Sequence, residues 1–203
     1  MADPSAITLA RQSRDADCSR GSNDLRLGIR LEARGVADLK ADIYWIDVTA
    51  RGRLAIVGRP RAGDWLADEI GDWKAVGLTD IVSLLEAFEI RDTGLIHEEQ
   101  WSVRAGLDFQ HFPIPDRGVP ASAPATRALW AGLADKVRIG RAVGIHCRAS
   151  IGRAGLMAAG VLTQLGVPLE EAWRRTSVAR GRPVPDTEAQ RQWLATVLHL
   201  AVD

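Results

Sequence analysis

The stretch from Val143 to Gly155, Val-Gly-Ile-His-Cys-Arg-Ala-Ser-Ile-Gly-Arg-Ala-Gly, restricts what this chain can fold into more than any other segment. Ala142 to Ile145 is a short apolar run that predicts a strand, and the small residues from Ala154 to Leu165 predict a helix. Between them lies a tight loop that opens with His146 and Cys147 and closes on Arg153. A strand-loop-helix unit of this kind aims several backbone N–H groups at one point, with the positive end of the helix macrodipole behind them. Such a nest binds an oxyanion whether or not it carries a cysteine. Cys147 at its entrance turns the cradle into a candidate reactive site, because the dipole, the amides and the nearby guanidinium all favour thiolate over thiol. Arg153 adds a planar fork matched to two oxygens of a tetrahedral phosphate.

The remaining composition excludes more than it selects. Lys+Arg and Asp+Glu balance at 26 each over 203 residues, so no global field recruits nucleic acid or an acidic membrane surface. Two cysteines, Cys18 and Cys147, make no disulfide framework and fit a reducing compartment. The start, Met1-Ala-Asp-Pro-Ser, lacks a secretory pattern, and no apolar run approaches the roughly 20 residues that span a bilayer. The expectation is a cytoplasmic protein without stable membrane insertion, its oligomeric state open.

Taken in order, residues 1–25 are polar and aperiodic and read as a flexible tail, with Cys18 as an incidental thiol, while 26–203 read as a single catalytic domain. Leu25 to Leu39 carries spaced apolar residues without a clear cap, and its structure stays open. Ile43–Val48 and Leu54–Val57 flank Ala50-Arg51-Gly52 and predict a hairpin. Asp64 is the expected cap of a helix reaching Ala75, with Trp65, Leu66, Ile70 and Trp73 as its core face. Arg59 and Arg61, just before it, read as a solvated loop. Thr79–Leu85 predicts a central strand, and Thr93–Ala105 a helix. His97, Glu98 and Glu99 fall on that helix without a partner histidine at metal-binding spacing. After a strand at Leu107–Pro113 comes a loop of restricted conformation, Pro113 to Pro120, holding Asp116. Helices follow at Pro124–Val137, Pro168–Ala179 and Thr187–Val202. The alternation predicts an α/β domain, a central mixed, largely parallel sheet flanked by helices, with the loop of Cys147 between a strand and a helix.

Alone, Asp116 reads as an ordinary turn aspartate. With Cys147 about thirty residues downstream, a carboxyl group on a movable loop becomes the proton donor that a leaving alkoxide or phenoxide needs.

His-Cys-x5-Arg after a strand and before a glycine-bearing helix resembles the phosphate loop of the cysteine-dependent protein phosphatases, most closely their dual-specificity branch. The resemblance runs from about Ile43 to the C-terminus, roughly four-fifths of the chain. It implies that Cys147 is the nucleophile, that Arg153 binds phosphate and stabilises the transferring group, and that Asp116 is the general acid. It also implies that Arg148, Ala149, Ser150, Ile151 and Gly152 wrap the phosphate while His146 orients the loop. No metal and no cofactor are called for, since the loop and the arginine supply the positive field. The implied partner is a phosphorylated protein, and the implied reaction is hydrolysis of phosphotyrosine, with phosphoserine and phosphothreonine as further candidates. Arg148 keeps a phosphoinositide substrate open.

Three positions depart from the family pattern. Ser150 stands where the loop commonly has glycine, and Ala154 where many members carry a hydroxyl that helps the thiolate leave. In Asp186-Thr187-x-x-Gln190, only Gln190 matches the two water-positioning glutamines of tyrosine-specific members. Ala154 leaves room for a phosphate-binding pseudophosphatase. A rhodanese-like sulfurtransferase, which also uses a loop cysteine, has no place for Asp116.

Overall fold

In the computed structural model, which describes residues 42–199, the two β-rich runs form an antiparallel hairpin, β1 (Ile43–Ile46) with β2 (Arg53–Val57). A 3-10 turn at Gly63–Trp65 leads into α1 (Leu66–Ala75) and then β3 (Asp80–Ser83). Next come α2 (Ala87–Asp92), α3 (Glu98–Arg104), β4 (Asp108–His111), α4 (Ala123–Arg138) and β5 (Ala142–His146). Three helices complete the described chain: α5 (Gly152–Gln164), α6 (Leu169–Arg180) and α7 (Glu188–His199).

The five strands lie in the order β1-β2-β5-β3-β4, with β2, β5, β3 and β4 parallel and β1 antiparallel at one edge. This is the mixed, largely parallel α/β sheet that the alternation of elements predicts. Every residue of β5 is buried, because the strand runs mid-sheet with helices over both faces. One face packs Leu54, Ile56, Val82, Val143 and Ile145 against α4, α5, α6 and α7. The opposite face packs Ala55, Val57 and Ile81 against Leu66, Ile70 and Trp73 of α1, together with Leu95 and Leu107 around α3. On the first face α4 and α5 meet at Gly160, where any side-chain carbon would overlap the indole of Trp130. β2, β5 and β3 end at the same edge of the sheet, so the loops that follow them converge there, as ligand sites in parallel sheets do.

Four local expectations change. α1 is not capped by Asp64, which lies inside the 3-10 turn; its first flanking residue is Trp65, without a side-chain cap. Trp65 is half exposed rather than core, because it precedes the helix and lies under the Arg61 guanidinium instead of on the apolar face. Arg61 itself is not free in a solvated loop: it pairs with Glu69 of α1. The helix expected over Thr93–Ala105 shortens to α3: Thr93 only flanks the end of α2, and Gly94 adopts a positive φ of 71° that turns the chain before Glu98. Cys18, the polar segment 1–25, Leu25–Leu39 and the last expected residues of the final helix lie outside the described residues. No helix among those described is long and apolar enough to cross a membrane.

The opposite ends of the strands are tied by charge. Asp80, buried at the start of β3, accepts from Lys136 and Arg141 at 2.6 Å each and from Thr79 at 2.7 Å. Arg141 also reaches Asp108 of β4 at 2.6 Å, so one cluster joins the beginnings of β3, β4 and β5. Burial alone would raise the Asp80 carboxyl, but bonds from Arg141, Lys136 and Thr79 outweigh it and hold the group below its ordinary value. Asp80→Asn is expected to lower stability by about 2 kcal/mol at neutral pH, since both cations keep partial contact with water. Because the folded carboxyl titrates below the unfolded one, that contribution is complete above about pH 4 and is lost as pH falls through the folded pKa. Urea melts of wild type and Asp80→Asn across this window should converge in acid.

Candidate functional site

The site is assembled where β5 stops. His146 is the last residue of the strand, Cys147 follows with only 2% of its surface exposed, and α5 starts at Gly152. Among the described residues, the N–H groups of Arg148 to Ile151 donate to no carbonyl of the backbone. The carbonyls of Ala149 and Ser150 face outward to Arg180, which bonds them at 3.4 and 2.7 Å. In a trans peptide the N–H points opposite to the preceding carbonyl, so the amides of Ser150 and Ile151 turn to the other side of the loop. The Arg180 guanidinium is held for this task against the Tyr44 ring, 4.1 Å from its centroid.

Ser150 has a φ of 53°, the left-handed region in which a residue other than glycine costs roughly 1–2 kcal/mol. Its hydroxyl donates to the Val57 carbonyl at 2.6 Å, anchoring the loop to the end of β2. That bond, with Arg180 on the following carbonyl, offsets the strain that glycine would avoid.

Arg153 is 2% exposed and its fork is fully specified. Nη1 donates to Glu89 Oε2 at 2.6 Å and to the Ile114 carbonyl at 3.0 Å. Nη2 donates to Glu89 Oε1 at 2.9 Å and to Asp116 Oδ1 at 2.9 Å. Burial would lower the guanidinium pKa, yet the bonds to Glu89 and the negative charges of Cys147, Glu89 and Asp116 raise it above its ordinary value. Burial likewise pushes the Glu89 carboxyl up, and Arg153, the Glu86 N–H at 2.9 Å and Arg148 pull it below the usual range. Of the five guanidinium N–H groups, Nε–H is left without a protein partner among the described residues. The edge formed by Nε and the outer Nη2 hydrogen is therefore where an oxyanion fits, and Asp116 already sits on half of it.

Asp116 projects from a turn closed by the Gly118 N–H on the Pro115 carbonyl at 2.8 Å, with Arg117 at a φ of 57°. Its side chain is 57% exposed although it touches the buried Arg153, and its own N–H makes a long contact of 3.3 Å to Glu86. Cys147, Arg153 and Asp116, distant in two cases by sequence, thus meet at one end of the sheet. Arg148 lies at the rim, paired at 2.9 Å with Asp92 where both are half exposed, a contact of small energetic weight. Ala154 is buried and brings no hydroxyl to the first turn of α5.

Below the loop, His146 is fully buried with Nε2 2.7 Å from Glu98 Oε1, a close approach without hydrogen-bond alignment. Ser83 donates to the other Glu98 oxygen at 3.4 Å, and the Trp73 ring lies 6.0 Å from the imidazole. Glu98 therefore turns inward to His146, away from His97, which flanks α3.

Four participants escape the sequence reading: Glu89, Glu98 as the neighbour of His146, Arg180, and Gln190 as a contact of the Asp116 loop, its Nε2 donating to Gly118 O at 2.8 Å. Glu89 leaves a faint signal, since Glu86-x-x-Glu89 after an apolar strand is a helix-start pattern. Arg180 leaves none.

No protein-family model matches the sequence, and no curated protein does. Solved structures do match. Kinase associated phosphatase, solved with serine in place of its catalytic-site cysteine, superposes with a TM-score of 0.72 at 21% identity, covering 80% of this chain and 97% of that one. Tk-PTP in its active form gives 0.63 at 26% identity, over 78% and 97%. Human DUSP28 gives 0.56 at 15% identity, over 79% and 96%. Kinase associated phosphatase and DUSP28 share the fold of this chain, and Tk-PTP, at 26% identity, supports a phosphatase.

Glu89→Gln removes one charge from a fully buried pair, replaces a bidentate acceptor by a single amide oxygen, and sets an amide N–H against the guanidinium. A loss of about 3 kcal/mol is expected, measured by denaturant unfolding at neutral pH. A change below about 1 kcal/mol would mean that Arg153 does not depend on this partner.

Proposed function

We propose that this chain, whose fold is that of the cysteine-dependent phosphatases, hydrolyses phosphotyrosine in proteins through a cysteinyl-phosphate intermediate, with phosphoserine and phosphothreonine as further substrates. The observation that carries this reading is the Arg153 fork. Glu89 fixes its plane from behind, and its open edge is shared with Asp116 beside the loop of Cys147.

A phosphate drawn into the loop takes the Nε and Nη2 edge as a bidentate ligand, and Asp116 moves off that edge toward the leaving oxygen. Cys147 as thiolate attacks phosphorus in line: the S–P bond forms, the bond from phosphorus to the leaving oxygen breaks, and protonated Asp116 gives its proton to that oxygen. The loop amides and Arg153 hold the equatorial oxygens throughout. Water then attacks phosphorus while Asp116 takes its proton, the S–P bond breaks, and inorganic phosphate and thiolate are released. Glu89 stays on Arg153 in every step, so the guanidinium does not turn as its outer partner changes.

Ala154 favours one second reading, a phosphate-binding protein that forms the complex without turnover, because no hydroxyl stands at that position to assist the departing thiolate. Phosphopeptide binding with no phosphate release would select it. A phosphoinositide substrate would draw on Arg148, whose pairing with Asp92 is half exposed and weak, and hydrolysis of phosphoinositides in preference to phosphopeptides would select that reading.

On this reading purified protein hydrolyses p-nitrophenyl phosphate without added metal, Cys147→Ser abolishes turnover while the fold persists, and Arg153→Ala abolishes it with a stability loss at least that of Glu89→Gln. General-acid catalysis gives the wild-type kcat an alkaline limb. Asp116→Asn is slower by roughly a hundredfold and lacks that limb. An inert wild type, full activity in Cys147→Ser, or an alkaline limb retained by Asp116→Asn would each defeat the assignment.

A further inference from the structure

Gln190 stands near the start of α7 and is fully buried. Its Nε2 donates to the Gly118 carbonyl at 2.8 Å, and the Gly118 N–H closes the turn that presents Asp116. Its Oε1 is buried without a hydrogen-bond partner among the described residues and faces Gly152, where a side-chain carbon would lie 3.0 Å away. Because Gly152 has no such carbon, Asp186 and Gln190 share the space beside the first residue of α5. One amide thus spans the two loops of the site. An apolar side chain of equal volume would pack there without the penalty of an unpartnered oxygen, so the residue is accounted for by what its N–H does.

We propose that Gln190 is a positioning residue that latches the Asp116 loop in its working position, so that proton delivery to the leaving oxygen depends on it. This rests on the reading of Asp116 as the acid. Asp116 is tethered directly by Arg153 at 2.9 Å and, through Gly118, by Gln190 at 2.8 Å, while Ile114 at the start of the loop rests on Arg153 Nη1 at 3.0 Å. Phosphate on the open edge of Arg153 removes the first. The second then keeps the Pro115–Gly118 turn within reach of the leaving group, since the remaining contact of the Asp116 N–H to Glu86 is long. The competing role for a buried amide at this place is to orient the hydrolytic water, which acts in the second step and not the first.

The two roles separate by leaving group. Gln190→Met keeps the side-chain volume and removes the donor. Its kcat/KM, which reports departure of the leaving group, is expected to fall roughly tenfold on phenyl phosphate and less than about twofold on p-nitrophenyl phosphate, whose leaving group needs little protonation. In an Asp116→Asn background the same change should cost nothing further on phenyl phosphate. Equal losses on both substrates, or an undiminished loss in the Asp116→Asn background, overturn the latch. So does an altered partition of the phosphoenzyme between water and added methanol without leaving-group dependence, which assigns Gln190 to the water. If Gln190→Met does not fold, Gln190→Glu, equal in size and lacking the amide donor, runs the same series. Failure of the acid assignment looks different: Asp116→Asn would itself show no excess loss on phenyl phosphate.

Discussion

A guanidinium buried to 2% of its surface is the constraint around which this structure is arranged. Left alone in the interior, Arg153 would carry a desolvation cost of several kcal/mol. Glu89 offsets it by bidentate bonding from α2, and the Ile114 carbonyl adds a third acceptor. The pair makes a fixed positive surface out of a side chain that elsewhere would wander among rotamers. Its orientation is decided before any anion arrives, which is what an electrostatic catalyst needs from its scaffold.

The sheet order explains how such distant residues are brought together. Glu89 follows β3, Ser150 and Arg153 follow β5, and Val57, which receives the Ser150 hydroxyl, ends β2. Because these three strands are adjacent and parallel, their ends share one edge. The Asp80 cluster pins the opposite edge. Strands anchored at their beginnings and packed on both faces leave the loops at their ends as the part of the molecule with freedom to respond to a ligand.

What could be read in the sequence was whatever is local. Cys147 and Arg153 lie on one strand-loop-helix segment, so their juxtaposition follows from a few backbone turns, and the alternation of strands with helices carries the sheet. Asp116 was accessible only because a proline-bound loop and a cysteine together imply a proton donor. Glu89 and Arg180 lie 64 and 27 residues from Arg153 by number, and no periodicity links them to it. Their roles come from tertiary packing. Trp65 was placed in the core by its spacing from Ile70 and Trp73, a count that cannot register that the helix begins one residue later. Ser150 shows the same limit: the sequence marks its departure from glycine, but nothing local to it points to the Val57 carbonyl as the acceptor of its hydroxyl.

The tight crossing of Gly160 under Trp130 has a consequence for inheritance of damage. α5 carries Arg153 in its first turn and meets the indole two turns later. A single methyl group added at Gly160 would overlap the indole, so either the ring or the rod must shift, and the rod's front end holds Arg153. The position least tolerant of change in this molecule can thus lie on the side of the helix that no substrate ever sees.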